Sequence, residues 1–498
     1  MKVDDCSNSS SLRSLSRAAR FFHLWTMLVR MGRSFRVWSL LVLLCMLASA
    51  VPAPGAGNAS QAAIQDTQVG PDVQQLDLAD ACRIALEQNP NLQAALERVV
   101  QAEQRVVQAK AAYWPIVQGT LSRARVGLSD RELTQNQATA GLFDPGAEVE
   151  DPQDQYSAGI RASFLLFNGL KRHFSALAAS HNYQQNIWAQ QDVERQLLFA
   201  VSQSYYNAQL AQANLRIAKA DEVFQQRQLQ EAEARERVGS GSLSDVLNFK
   251  VRLNAARASG IRARENYQAA LAGLAALMGY ERAVLPAGMR LASLAQEEPE
   301  EMQIPALDAA LAYALEHRPD LKELQSRLKG SQAQVKIARA DFFPEVDLQG
   351  NLSGFRPEDG FLEEEDFGHS ISLNFTYTLF DGGRRRAVLR ESRALQREVQ
   401  QQLENLRLEL ASDLQQTIAA LEAAREQLVL QRENVELVRS TRELVEKEYT
   451  AGVGSLVRLN ESQRDVVRAE SELALALVSL RQARIDFQSG TGRILEMD

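Results

Sequence analysis

Cysteine is nearly absent: Cys6, Cys45 and Cys82 are the three in a chain of 498 residues. The first two lie near the N-terminus, so the body of the chain contains one thiol, that of Cys82. Intramolecular disulfides and a cysteine-rich metal site are therefore excluded from the body of the chain. Because charged residues make up 24% of the sequence and hydrophobic residues 45%, we expect a folded protein stabilised by packing.

A hydrophobic run long enough to cross a membrane is also missing. The run VWSLLVLLCMLASA has 14 residues, whereas a spanning helix needs about 20. Seven basic side chains precede this run and small residues end it, a pattern typical of a secretory signal peptide. We predict a signal peptide at 1–50, cleaved after Ala50, and a flexible segment at 51–75. Either Met1 or Met31 could be the initiator.

The rest of the chain is acidic. The whole sequence has a formal net charge of −8, and the first fifty residues contain seven basic and two acidic side chains, so the remainder carries −13. Nucleic acid is therefore a poor partner. No HExxH spacing and no Ser/His/Asp grouping is found in the local sequence, so we expect no catalysis, no cofactor and no metal. The five histidines are His23, His173, His181, His317 and His369.

Two copies of one unit account for most of the sequence. LADACRIALEQNPNLQAA, which begins at Leu78, matches LDAALAYALEHRPDLKEL, which begins at Leu307, an offset of 229 residues. The offset persists to Pro115 and Pro344, where an aromatic pair and a proline end each helical pattern. From Phe167 onward the offset is a constant 213. We place the first repeat at 76–284, a linker at 285–303, the second repeat at 304–492 and a C-terminal tail at 493–498.

Each copy combines strands with a very long helix. Residues 371–379 alternate apolar and polar side chains, which predicts a strand with one apolar face. After each pair of strands, neither proline nor a central glycine interrupts some 66 residues, which would make a helix of about 100 Å with coiled-coil packing. The elements of the first repeat are a helix, a β-hairpin at 115–167, a long helix at 172–237, a tip turn at 238–245 and a helix to 279. Those of the second are a helix, a β-hairpin at 344–380, a long helix at 385–450, a tip turn at 451–458 and a helix to 488.

The strands cannot close into a barrel within one chain. Two hairpins supply four strands, which are too few, and lipid does not tolerate an open strand edge. If the apolar face meets lipid, several chains must pool their strands, and three chains would supply twelve. Long acidic loops at 124–156 and 354–368 then lie on the outer side and the helices on the other. The predicted lipid-facing residues are Ile371, Leu373, Phe375 and Tyr377.

The residues resemble those of the TolC-like outer-membrane efflux proteins. The shared features are the duplicated ALxxNP/ALxxRP helix, the aromatic pair and proline before the first strand, LFNG/LFDGG after the second strand, and the paired G-x-G-S-L turns. The resemblance runs from about Leu76 to Gly492. It implies a mainly α fold with a β-barrel part: a homotrimer with a twelve-stranded barrel in the outer membrane and a helical tunnel in the periplasm. It also implies export of small molecules or proteins with a periplasmic adaptor and an inner-membrane pump, and no enzyme.

The two tip turns, VGSGSLSDVLNF and AGVGSLVRLNES, are expected at the tunnel entrance. The residues that reverse the chain are Gly239 and Gly452, because glycine relaxes the backbone there. The hydroxyls of Ser242 and Ser455 would cap the helices that follow. A plain tight turn is the alternative explanation for these four residues.

Polar residues beside the tip turns match those that hold the entrance shut in the family; by position they are Ser244, Asp245 and Tyr449. The sequence departs from the family at Gly454, where a basic residue is common, and at Arg458, where an acid is common. Arg458 could therefore pair with Asp245 instead, and Glu461 retains one acid in each chain near the constriction.

Two other interpretations remain open at this point. A secreted coiled-coil scaffold would contain the long helices, but the alternating face of residues 371–379 argues against it. A periplasmic adaptor would contain one helical hairpin flanked by β-rich modules, whereas this chain repeats helix and strand units twice. Heat-modifiable trimers that only detergent extracts would separate the channel from the scaffold.

Overall fold

The computed structural model describes residues 75–143, 146, 149, 151–356 and 362–496. The predicted signal peptide and the predicted flexible segment, except Gln75, lie outside the described residues. The helices are α1 (Leu78–Gln88), α2 (Pro90–Ala111), α3 (Asp130–Phe143), α4 (Lys171–Arg237), α5 (Leu243–Leu277), α6 (Leu307–His317), α7 (Pro319–Ala340), α8 (Arg384–Thr450) and α9 (Leu456–Thr491). The strands are β1 (Gln75–Leu76), β2 (Ile116–Val126), β3 (Gln153–Phe167), β4 (Arg290–Leu291), β5 (Glu345–Arg356) and β6 (Phe367–Thr376).

The helices α4 and α8 have 67 residues each, about 100 Å at 1.5 Å per residue. Each follows a residue in the left-handed conformation, Leu170 with φ 66° or Gly383 with φ 88°. Along α8, buried side chains recur every seven residues, which is the spacing of coiled-coil packing; they are Leu414, Leu421, Leu428 and Val435. The two long helices pair with the helices that follow them, so each repeat contains an antiparallel helical hairpin, α4/α5 and α8/α9.

The first helix of each repeat, predicted as one element, is in fact two. The break falls at Asn89 between α1 and α2 and at Arg318 between α6 and α7, where ψ is 121° and 127°. A proline follows each of these residues and disfavours the helical conformation in the residue before it. The side chains then bind the ends of later helices: Asn89 Nδ2 donates to Leu277 O at 2.8 Å, and Arg318 Nη1 donates to Gly490 O at 2.9 Å. The two acceptors are 213 residues apart.

Four strands form one antiparallel sheet in the order β2-β3-β5-β6. The register places Leu121 opposite Ala158, Ile160 opposite Leu352, and Leu348 opposite Leu373. Residues that are directly opposite share a face, so these pairs lie on one apolar face of the sheet. The other face is polar and includes Gln118, Ser122, Ser157, Arg161, Gln349, Asn351, Ser370, Ser372 and Asn374.

Three predictions for the sheet and its loops are wrong. The loop expected at 124–156 contains the helix α3, whose first turn includes Asp130 and Glu132. The second loop is shorter than 354–368, because β5 continues to Arg356 and β6 begins at Phe367. The strand β6 ends at Thr376, which pairs with Glu345 at the start of β5. Pro344, the residue before Glu345, has no N–H to donate, so the ladder cannot continue past it.

The predicted linker contains a short strand. Its residues Arg290 and Leu291 form β4, which pairs in parallel with β1, opposite Gln75 and Leu76. Leu76 is fully buried and contributes to the largest apolar cluster among the described residues, where α1, α4, α5 and α9 also contribute. The linker is thus anchored to the body of the protein near the middle of the long helices.

Candidate functional site: the hairpin tips and the two-faced sheet

Each helical hairpin reverses at a glycine with positive φ, Gly239 at +75° and Gly452 at +82°. L-residues with a side chain rarely adopt this conformation. The glycine two positions later is required for a different reason. A Cβ atom on Gly454 would lie 2.7 Å from the backbone nitrogen of Tyr449. The space beside the turn therefore excludes a side chain at this position, including the basic one that the family resemblance led us to expect.

The serines after the turns cap the next helices, as predicted. Ser242 Oγ accepts a hydrogen bond from the backbone N–H of Ser244 at 3.0 Å, and Ser455 Oγ accepts one from that of Arg458 at 3.2 Å. Each bond satisfies one of the N–H groups that a helix leaves free at its start. Asp245 lies in the first turn of α5, where the helix dipole favours a negative charge.

The two hairpin tips pack against each other within one chain. We call the apolar residues between them the tip cluster; its buried members are Leu229, Ala232, Phe249, Leu253, Val445 and Leu459. The ring of Phe249, which is fully buried, meets the ring of Tyr449 edge to face at 6.4 Å between centroids. Phe249 was not among the predicted site residues, although Val246, Phe249 and Leu253 follow an apolar helical spacing that indicates it.

Tyr449 lies between charged groups. The guanidinium carbon of Arg235 is 5.0 Å from the centre of the tyrosine ring. Burial raises the pKa of Tyr449, and the negative charge of Asp245 raises this pKa further. The charge of Asp245 thus acts on the phenol group of Tyr449 within one chain.

Arg458 pairs with Glu448 and not with the predicted partner, Asp245. Its Nη1 atom lies 3.3 Å from Glu448 Oε2, on the helix before the same turn. Within the described residues of one chain, Arg458 therefore binds Glu448 and not Asp245. Glu461 is exposed on α9.

Hydrogen bonds that the sequence did not indicate also join the two hairpins near the tips. Asn460 Nδ2 donates to Asn248 Oδ1 at 3.2 Å, and Gln463 Nε2 donates to Asp221 Oδ1 at 2.9 Å. Arg227 forms an ion pair with Glu446. These residues are spread over four helices, so no local pattern in the sequence could have paired them.

The predicted lipid-facing side chains lie along β6 on the apolar face of the sheet. Their exposed fractions are 55% for Ile371, 66% for Leu373 and 68% for Phe375. Tyr377 is 48% exposed and lies one residue beyond the end of β6. On the opposite face, Asn374 Nδ2 donates to Asp347 Oδ2 at 3.0 Å across the strand pair. The sheet therefore separates apolar from polar side chains, and its apolar face is open in the single chain.

Among the described residues, none of the helices combines the length and the hydrophobicity needed to cross a bilayer. In the same part of the chain, no cluster of three or more His, Cys, Asp or Glu side chains is placed to hold a metal ion.

Long helical hairpins joined to a two-faced antiparallel sheet define a class of protein, the TolC-like channels of the outer membrane. The family model described as "Outer membrane efflux protein" matches residues 81–280 and 310–493. The chain belongs to this family. It is an outer-membrane protein whose helical part lies in the periplasm, and the family consists of efflux and secretion channels.

Individual relatives are similar over most of their length. The pyoverdine export outer membrane protein OpmQ of Pseudomonas aeruginosa is 26% identical over 414 residues, 82% of this chain and 83% of the relative. Protein CyaE of Bordetella pertussis is 28% identical over 423 residues, 84% of each chain. The solved structure of the Campylobacter jejuni CmeC outer membrane channel shares the fold, with a TM-score of 0.72 at 17% identity over 83% of this chain and 85% of that one.

Proposed function

We propose that three copies of this chain form a channel-tunnel that passively exports small molecules or proteins from a tripartite pump. In this proposal each copy contributes its four-stranded sheet to one twelve-stranded barrel, and the helical hairpins together form the tunnel. The partners are further copies of the chain, outer-membrane lipid, a periplasmic adaptor and an inner-membrane pump. The two repeats, 76–284 and 304–492, are the duplicated units of the tunnel.

The observation that carries the proposal is an antiparallel sheet with one apolar face and two open edges. Within the described residues, β2 pairs only with β3, and β6 pairs only with β5. Placing a backbone N–H or C=O group without a hydrogen-bond partner in hydrocarbon costs roughly several kcal/mol of free energy. A sheet of this kind is stable in a bilayer only if other strands cover both edges, and further copies of the same chain supply them.

The contacts at the hairpin tips support a closed entrance. We propose that Ser244, Asp245 and Tyr449 form bonds between neighbouring hairpins of the trimer, with Arg458 as a further partner of Asp245 across chains and Glu461 near the constriction. Asp245 lies in the first turn of α5 and Tyr449 packs against the tip cluster, and this placement of both groups at the tip of one chain supports the arrangement. The turn glycines and the capping serines hold the tip in shape.

The names of three relatives refer to different kinds of cargo. One refers to pyoverdine export, another to alkaline protease secretion and a third to an antibiotic efflux pump. We therefore propose export of small molecules or proteins without choosing between them. Membership of the channel family favours this function over the secreted scaffold and the periplasmic adaptor.

Conductance in planar lipid bilayers tests the proposal. The processed chain, extracted from the outer membrane in mild detergent, should give discrete and stable current steps. A chain that is released without detergent and gives no current steps would be a scaffold or an adaptor, and the proposal would be wrong.

A further inference from the structure

The polar face of the sheet carries one positive charge in each chain, at Arg161 on β3. Its strand neighbours on this face are uncharged: Gln118 lies opposite on β2 and Asn351 lies opposite on β5. Arg161 is exposed and forms no ion pair within the described part of the chain.

The carboxylate that lies nearest on the polar face belongs to Asp347. Asp347 is four residues from Asn351, the residue opposite Arg161, so the two positions are about 13 Å apart along β5. This carboxylate already accepts hydrogen bonds from Gln349 Nε2 at 2.8 Å and Asn374 Nδ2 at 3.0 Å. Because about 10 Å is the screening length at 0.1 M salt, Asp347 does not neutralise Arg161.

A neighbouring copy of the chain would not supply an acid either. In the sheet order β2-β3-β5-β6, the open edges belong to β2 and β6. The strand next to β2 in a closed barrel is therefore the β6 of another copy. Its polar face carries Ser370, Ser372 and Asn374, which are uncharged.

We infer that Arg161 is a specificity-determining residue of the channel: three copies form a ring of guanidinium groups in the barrel lumen that favours the passage of anions. The inference rests on the proposed trimeric barrel. Guanidinium groups without carboxylate partners attract carboxylate and phosphate groups and small inorganic anions. In a narrow lumen with low-dielectric walls, fixed charges of one sign concentrate counter-ions. The ring therefore raises the local concentration of anionic solutes and repels cations.

The acidic residues Glu345 and Asp347 lie on the same face at the end of the sheet near the helices. They form a separate acidic ring, so the ion selectivity of the whole pore is the combined effect of both rings. The contribution of Arg161 is therefore measured as a change caused by substitution and not from the parent channel alone.

The test is the ratio of chloride to potassium permeability, taken from the zero-current potential of single channels in a KCl gradient. Arg161→Gln should lower this ratio about two- to fivefold, since it removes three charges from the lumen. Arg161→Lys should keep the ratio near that of the parent, and Arg161→Glu should lower it further than Arg161→Gln does.

The matched control is Arg123→Gln. Arg123 lies on the neighbouring strand β2, but on the opposite face, where its guanidinium group contacts the ring of Tyr156. Its replacement should leave the permeability ratio unchanged. Channels of Arg161→Gln that conduct with the parent's ratio would overturn the inference, and so would a change in Arg161→Lys as large as that in Arg161→Gln. A parent chain that forms no channel would instead contradict the proposed function.

Discussion

At the hairpin tips, packing fixes the position of Tyr449, and Asp245 adds a weaker electrostatic interaction. Gly454 leaves no space for a side chain beside Tyr449, and Phe249 fixes the ring of Tyr449 from the other hairpin. The position of the tyrosine is therefore set by packing. Its interaction with Asp245 is electrostatic and can be removed without disturbing the turn.

Asp245→Ala should raise the conductance of single channels in planar bilayers. An exposed polar contact contributes only about 0 to 1 kcal/mol, but it occurs three times in the proposed trimer. Loss of all three contacts should shift the closed entrance towards the open state by about 1 to 3 kcal/mol, which changes the open population several-fold. Single-channel current at a fixed salt concentration measures this change.

The control for this prediction is Glu265→Ala, which removes an exposed acid from the same helix α5 away from the tip. Its conductance should equal that of the parent. Tyr449→Phe tests the hydroxyl group on the other side of the contact. If Asp245→Ala and Tyr449→Phe both conduct like the parent, the tip is a plain turn and the entrance is closed elsewhere.

Among the helices, the contact between the α6/α7 break and the end of α9 depends on one ion pair. Arg318 Nε donates to Asp320 Oδ1 at 3.0 Å while Arg318 Nη1 donates to Gly490 O. Burial alone would raise the pKa of Asp320, but the hydrogen bond and the charge of Arg318 outweigh it and hold this pKa below its usual range. Asp320 therefore stabilises the folded state in its ionised form.

Asp320→Asn should lower the stability of the protein by about 1 to 3 kcal/mol at neutral pH, because it weakens a charged hydrogen bond to a buried arginine. The folded pKa of Asp320 lies below the unfolded value of about 3.9. The contribution is thus fully present above the unfolded pKa and is lost as the pH falls through the folded pKa. Thermal unfolding followed by circular dichroism should show the parent and the variant converging at acid pH.

Glu316→Gln, an exposed carboxylate at the end of α6, is the matched control for Asp320→Asn. It should unfold like the parent across the same pH range. A difference between Asp320→Asn and the parent that stays constant down to the lowest pH would contradict an ionic role for Asp320.

The strand β6 provides a test of which face meets lipid. Phe375→Lys should impair insertion by about 2 to 4 kcal/mol if the residue lies near the middle of the bilayer. Asn374→Lys should be tolerated, because Asn374 lies on the polar face beside the carboxylate of Asp347. The amount of protein recovered in the outer-membrane fraction measures the difference. Equal losses for the two variants would mean that β6 does not face lipid.

The sequence was most informative where a local pattern repeats. The mainly helical fold with some sheet follows from the uninterrupted helical segments and the period-two strands, and the serine caps follow from the turn motif. The break at Asn89 was missed although Pro90 is a local signal for it. The end of β6 could not be placed from β6 alone, because it depends on Pro344 in the paired strand and so on the register. The Asp245–Tyr449 proximity and the pairing of Arg458 with Glu448 depend on how helices pack, which periodicity alone does not determine.

At the scale of the whole molecule, the four-stranded sheet does not close on itself within the described part of one chain. Its sheet has an apolar face and two open edges, while its long helices are stabilised by packing within the chain. Both features are consistent with a protein that completes its membrane part by assembly. The central claim is that three copies share one barrel.

The most direct test of this claim is the mass of the processed protein in mild detergent. The protein should be extracted from the outer membrane, without heating, and measured by native mass spectrometry or by light scattering with correction for bound detergent. The account predicts a single stable species with three times the mass of the processed chain, which heat converts to the monomer. A stable monomer in the unheated sample would contradict it.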